Sequence, residues 1–356
     1  MAHNGKSKLF GFAGRYFQRV PTDIANRALN NYQSGWEVFY DPQLTVWTGI
    51  SNFYGEGRAQ IQGQTPDLLV NSPLKAPFTD EYILGFDYEV LPDLRLGTRI
   101  IYRALGRAID DLSYDGGYHY VIANIGDWTH VPTPGFINQN EIYYYPKPTR
   151  YYRALEITLD KRFSNNWQMG ASYVLSRLEG NYEGQAQNDT PSGQLYPNYT
   201  QSWDLAELMV NVSGLLPLDR THVLKVYGSY QFRDIPLMLS ANFALYSGTP
   251  VSKQISTWYG YEPAFSNARG SAGRTPTTWA LDLGAQYDFK LPMKSVLGLR
   301  IDIFNVTNNQ ATTAVYQTWQ DQLWPGAPLV MDNAMWGKPY QHQTPRIIRL
   351  GLRWVF

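Results

Sequence analysis

The chain has 356 residues, 44% of them apolar, and thirty Lys and Arg balance thirty Asp and Glu for a formal net charge of zero. Without a basic excess there is no electrostatic case for nucleic acid. With no Cys, thiol catalysis, Cys-based metal sites and a disulfide scaffold are excluded together. Charged residues make up only 17% and aromatics 15%, against about 25% charged in soluble domains, so something other than charge covers the surface.

No run of about 18 apolar residues occurs, which excludes helical membrane spans and leaves a β-barrel open, because alternating strands hide their lipid face from a hydropathy window. Met1 to Lys8 has no apolar stretch after its charges and does not read as a secretory signal. Apolar residues recur with period two, the strand signature, over ten segments at about 8–18, 80–90, 94–105, 151–163, 167–177, 221–232, 237–247, 277–289, 297–303 and 346–356. In the fourth, Leu155, Ile157, Leu159 and Phe163 share one face, while Glu156, Thr158, Asp160 and Arg162 share the other. The eighth sets Trp279, Leu281, Leu283, Ala285, Tyr287 and Phe289 against Asp282, Gln286 and Asp288. Leu297, Leu299, Ile301 and Ile303 then oppose Arg300 and Asp302, and Ile348, Leu350, Leu352, Trp354 and Phe356 oppose Arg349 and Arg353.

Short connections at 91–93, 164–166, 233–236 and 290–294 carry turn residues. They alternate with long ones at roughly 19–79, 106–150, 178–219, 248–276 and 307–344. Structureless connections of that length are rare in compact soluble domains, whereas outer-membrane barrels alternate short periplasmic turns with long extracellular loops. A strand of about twelve residues at ~3.3 Å rise, tilted by about 45°, covers roughly 28 Å of the bilayer normal. The expected fold is therefore all-β, an antiparallel transmembrane meander of about ten strands with its four short turns at one end. Tyr151, Tyr152, Phe163, Trp167, Phe232, Trp279, Phe289 and Trp354 are expected in aromatic girdles at the two interfaces. A soluble β-sandwich with long loops is the alternative.

The terminal segment from Pro345 to Phe356 resembles the C-terminal strand that outer-membrane proteins present to their assembly machinery, with Leu350, Leu352, Trp354 and Phe356 as the signal. Leu299 to Asn309 resembles the penultimate-strand motif of TonB-dependent receptors. Tyr152 to Trp167, Ala171 to Ser176 and Asp219 to Tyr230 together are similar to the Oar-like branch of that family; Phe12-Ala-Gly-Arg-Tyr16 matches loosely. The resemblance implies a barrel of about 22 strands around a plug, driven through a TonB box near the N-terminus, in the outer membrane of a Gram-negative bacterium. Residues 1–356 then correspond to the C-terminal part of the barrel domain, its last ten strands. The plug, the TonB box, the signal peptide and about twelve strands would lie outside it. The implied partners are outer-membrane lipid, the assembly machinery, an unidentified extracellular substrate and, through the region outside this sequence, the TonB system.

Two residue sets are candidates for function. Glu156, Asp160, Arg162, Lys225, Arg300, Asp302, Arg349 and Arg353 are expected to line the lumen, where they pair across strands or border a solute path. Trp258, Tyr259 and Tyr261 in one long connection, and Trp319, Trp324 and Trp336 in another, could stack on an extracellular ligand or hold the loops together. No cofactor is expected. His3, His119, His130, His222 and His342 show no ligand spacing, although His119 and His130 share a connection with Asp110, Asp111 and Asp127. No catalytic set stands out, and the chain does not read as an enzyme. The rival readings are a self-contained ten-stranded omptin-like protease, whose nearest equivalent here is Asp110-Asp111 with His119 or His130, and an adhesin built on the long loops.

Overall fold

The computed structural model describes residues 5–19, 36–40, 47–52, 74–113, 120–126, 145–184, 203, 205–256, 263–292, 295–322 and 330–356. Ten long strands form one antiparallel sheet in chain order: β1 (Ser7–Phe17), β2 (Phe78–Leu91), β3 (Leu94–Arg107), β4 (Arg150–Ser164), β5 (Trp167–Gly180), β6 (His222–Gln231), β7 (Leu237–Tyr246), β8 (Thr278–Lys290), β9 (Val296–Phe304) and β10 (Ile347–Val355). A two-residue strand, Gly214–Leu215, also pairs with β5. Each long strand pairs with its neighbours in sequence, and β1 and β10 stand at the two ends of the order. No helix among the described residues is long and apolar enough to cross a membrane.

Because every strand reverses its predecessor, the connections β2–β3, β4–β5, β6–β7 and β8–β9 all fall at one end. Their chemistry explains their shortness. Between Ser164 and Trp167, which are cross-strand partners, Asn165 and Asn166 adopt φ of 52° and 72°, the two positive values that a tight hairpin matching the strand twist requires. Asp93, after Pro92, has φ 66°, and Pro is favoured before such a position.

Residues directly opposed across strands lie on one face, so the register traces the faces through the sheet. Leu352, Leu299, Tyr287 and Leu237 form one rank, and Leu350, Ile301, Ala285 and Leu239 the next. These are apolar and, apart from the partly covered Leu237 and Ala285, open to the surroundings; Leu350 and Leu352 are 77% and 75% exposed. An exposed apolar surface of this extent marks a membrane or partner contact. The other face carries Arg, Asp, Glu, Ser and Asn. Close approach on that side requires glycine at Gly170, opposite Tyr227, where an added Cβ would stand 2.4 Å from the tyrosine ring.

One expectation is corrected. Tyr152 does not join the apolar-face girdle with Tyr151, because successive strand residues point to opposite faces. It lies on the polar face, with the Arg103 guanidinium 5.5 Å from its ring centroid. The long connections, read from sequence only as loops, contain strands of their own. Trp36–Tyr40 pairs with Trp47–Asn52, Ile109–Ser113 with Tyr120–Asn124, and Thr312–Val315 with Pro339–His342. Gln254–Ser256 joins Pro263–Phe265, Thr318–Gln322 and Val330–Asp332 in a four-stranded sheet. The principal buried cluster, Ala108, Leu112, Val121, Ala123, Ile125, Tyr182 and Trp203, sits at this end of the molecule rather than in the wall.

Candidate functional site

The polar face is organised as ion pairs within and across its strands. At β9 and β10, Asp302 accepts from Arg300 Nε at 2.9 Å and from Arg349 Nη2 at 2.8 Å. Arg353 Nη2 stands 3.4 Å from Asp288, and Asn242 Nδ2 donates to Asp282 at 3.0 Å. On the first strands, Arg95 donates to Asp160 at 2.7 Å and lies 3.7 Å from Asp87. Arg99 lies 3.7 Å from Glu156, and Arg103 is paired with Glu81. Opposite charges placed across a strand pair stabilise the register, so these groups hold the wall while keeping its face polar.

Of the expected lumen residues, Glu156, Asp160, Asp302, Arg300, Arg349 and Arg353 are all members of these pairs. Lys225 Nζ instead lies 5.8 Å from the Tyr246 ring centroid. Arg162 borders, with Asp87, Glu89, Arg95 and Asp160, a concavity of about 530 Å³ at the short-turn end. A second concavity of about 460 Å³ lies mid-sheet between Tyr227, Asn242, Asp282, Arg300 and Asp302. The charges of β2 and β3 were missed by sequence reading. Their signal was Arg95, Arg99 and Arg103 at spacing four, which places all three on one face of a strand.

At the opposite end the long connections converge. Lys253 Nζ sits 4.2 Å from the Trp319 ring centroid and 5.3 Å from that of Trp336, and the Trp336 indole donates to the Ser252 carbonyl at 3.4 Å. Two separate connections are thereby clamped through one ammonium. Trp258, Tyr259, Tyr261 and Trp324 lie outside the described residues, as do His3, His119, Asp127 and His130. Asp110 is buried, and the described residues hold no group of three or more His, Cys, Asp or Glu arranged for a metal. His222 is hydrogen-bonded to the Tyr173 hydroxyl at 2.8 Å.

Beneath the aromatic clamp, Arg269 and Glu183 form a fully buried ion pair at 2.8 Å, and Arg274 is paired with the buried Asp219. Arg220 Nη1 donates to the Ser247 carbonyl at 2.7 Å; burial pulls its guanidinium pKa down, partly offset by Tyr246. No polar motif in the sequence marks these partners, which are 86 residues apart in the Glu183–Arg269 case.

No protein-family profile matches this chain. It is 32% identical to the TonB-dependent transporter Oar of Myxococcus xanthus over 96% of its own length, and it spans about a third, 34%, of that protein. Among solved structures, the outer membrane transporter YddB from Escherichia coli superimposes with a TM-score of 0.53 at 10% identity, over 98% of this chain and 38% of that one. The second match shows the fold alone: the ten-stranded meander is laid out like part of a transporter barrel.

Proposed function

The chain belongs to the TonB-dependent receptor family, in its Oar-like branch, and from that premise we propose that its ten strands form part of a larger outer-membrane barrel that binds and takes up an extracellular substrate. The observation that carries this reading is the division of the sheet: an apolar exposed face, a face of paired charges behind it, and all the long connections gathered at one end. The apolar face meets lipid and the charged face lines the lumen, because an Arg on the lipid side near the midplane costs roughly 2–4 kcal/mol. With short turns periplasmic, the connections that carry Lys253, Trp319 and Trp336 stand outside the cell, where loops on a rigid scaffold meet solutes.

Assembly proceeds through the terminal strand with Leu350, Leu352, Trp354 and Phe356, and energy arrives from the TonB system through a plug supplied elsewhere in the protein. The comparisons retrieve transporters, and neither the protease nor the adhesin reading gains support from them. The test is comparative analysis of spent medium from cells with and without the gene. The proposal expects a solute that intact cells deplete and that persists both after deletion and after the proton-motive force is dissipated. Identical depletion under all three conditions would sink it.

A further inference from the structure

We propose that Arg153 and Arg177 form a recognition site for the phosphate of an anionic glycolipid in the outer leaflet, on the lipid-facing side of the barrel. The inference rests on the barrel reading above. In the register of β4 and β5, Arg153 lies directly opposite Arg177, and the next pairs on the same face are Leu155 with Leu175 and Ile157 with Tyr173. The two guanidiniums therefore stand at the edge of the apolar surface, at the end of the long connections.

Like charges directly opposed across strands are destabilising. Among the described residues one carboxylate joins them: Glu179 accepts from Arg153 Nη1 and from Arg177 Nε, each at 2.5 Å. The two arginine side chains are 53% and 62% exposed, Glu179 only 26%. The carboxylate thus sits behind the pair, spacing two guanidiniums whose remaining donors open outward. Two cations on one anion leave a positive charge facing the interface.

The surroundings select the kind of anion. Tyr102 is the register partner of Arg153 on β3 and stacks on Tyr82 of β2 at 6.4 Å, and the Arg153 guanidinium lies 5.6 Å from the Tyr151 ring. Aromatic rings with polar tips mark the headgroup level and suit a saccharide. Guanidiniums bind phosphate oxygens bidentately. A phosphorylated sugar headgroup whose acyl chains run down over Leu155, Ile157 and Leu175 satisfies all three features. Further along the same belt, Arg15 is balanced by Asp80 at 2.7 Å. On β6, β7 and β8 the outward positions nearest this level are His222, opposite Leu175, and Leu245 and Trp279, in the rank of Tyr173 and Leu224.

The full-length protein is extracted from outer membranes, washed in detergent and assayed by mass spectrometry for retained phosphorylated glycolipid, beside the double variant R153Q/R177Q and the control K161Q. Lys161 is on the same face at the short-turn end, against the Trp167 ring. Loss of charge-assisted hydrogen bonds predicts about a tenfold drop in retention for the double variant, with heat-modifiable migration kept and K161Q unaffected. In nanodiscs, removing the phosphate from the glycolipid should abolish the difference between native protein and double variant. Equal retention by the native protein and R153Q/R177Q overturns the site, as does a difference that survives dephosphorylation. A native protein that is not heat-modifiable overturns the barrel reading and the site with it.

Discussion

Asp302 of β9 lies directly opposite Arg349 of β10 and accepts a hydrogen bond from its guanidinium at 2.8 Å, while Arg300, two residues away on β9, donates to the same carboxylate at 2.9 Å. One buried anion thus fixes the last strand against the sheet. Replacing Asp302 by Ala leaves two guanidiniums facing each other and is expected to cost about 1–3 kcal/mol. Arg300→Leu removes one of two half-exposed donors and should cost under about 1 kcal/mol. The check is the midpoint temperature at which the folded, fast-migrating form is lost in detergent. Equal midpoints for the two variants would show that Asp302 does not anchor β10.

A second expectation concerns facing. Leu352 and Leu299 are register partners on the apolar face, and Arg353 and Arg300 lie on the other side with Asp288 and Asp302. Leu352→Arg places a charge in lipid at roughly 2–4 kcal/mol, so membrane assembly should suffer far more than with Arg353→Leu. The same contrast is expected between Leu299→Arg and Arg300→Leu. Quantifying membrane-inserted, heat-modifiable protein for each pair measures it, and equal tolerance within both pairs would contradict the assignment of faces.

All ten strands and their short turns were legible in the sequence because both signals are local. Alternation of apolar and polar residues fixes the faces of Leu281 and Asp282 without knowledge of any partner, and Asn165-Asn166 announces its hairpin by residue type. Pairing was legible only in part. Arg300 and Asp302 sit on one strand next to Arg349 on the following one, so their ladder could be anticipated, whereas Glu183 meets Arg269 through a packing arrangement that no period encodes. Tyr152 was misplaced because aromatic identity was weighed above strand parity. The structure within the long connections was invisible for a related reason: strands of three to five residues such as Gln254–Ser256 and Thr318–Gln322 are too short to show a period.

The buried core lies in the connection layer and touches the wall through Leu105 of β3, and Trp203 allows the two to be tested separately. Its side chain is fully buried at 0% exposure, packs edge-on to Tyr182 at 6.0 Å, stacks on Tyr145 at 6.4 Å and donates its indole N–H to the Asn181 carbonyl at 3.3 Å. Trp203→Ala removes a large packed ring and should cost about 3–5 kcal/mol, while Trp203→Phe, which keeps an aromatic ring and loses the hydrogen bond, should cost less. Because that cluster is made of Ala108, Leu112, Val121, Ala123, Ile125 and Tyr182, the loss should fall on the connections and spare strand pairing. The expected result is faster protease cleavage of the connections on intact cells, with the heat-modifiable, membrane-inserted fraction unchanged. If insertion falls in step with protease resistance, the layer is part of the folding unit of the wall, and the separation argued from the position of this core is wrong.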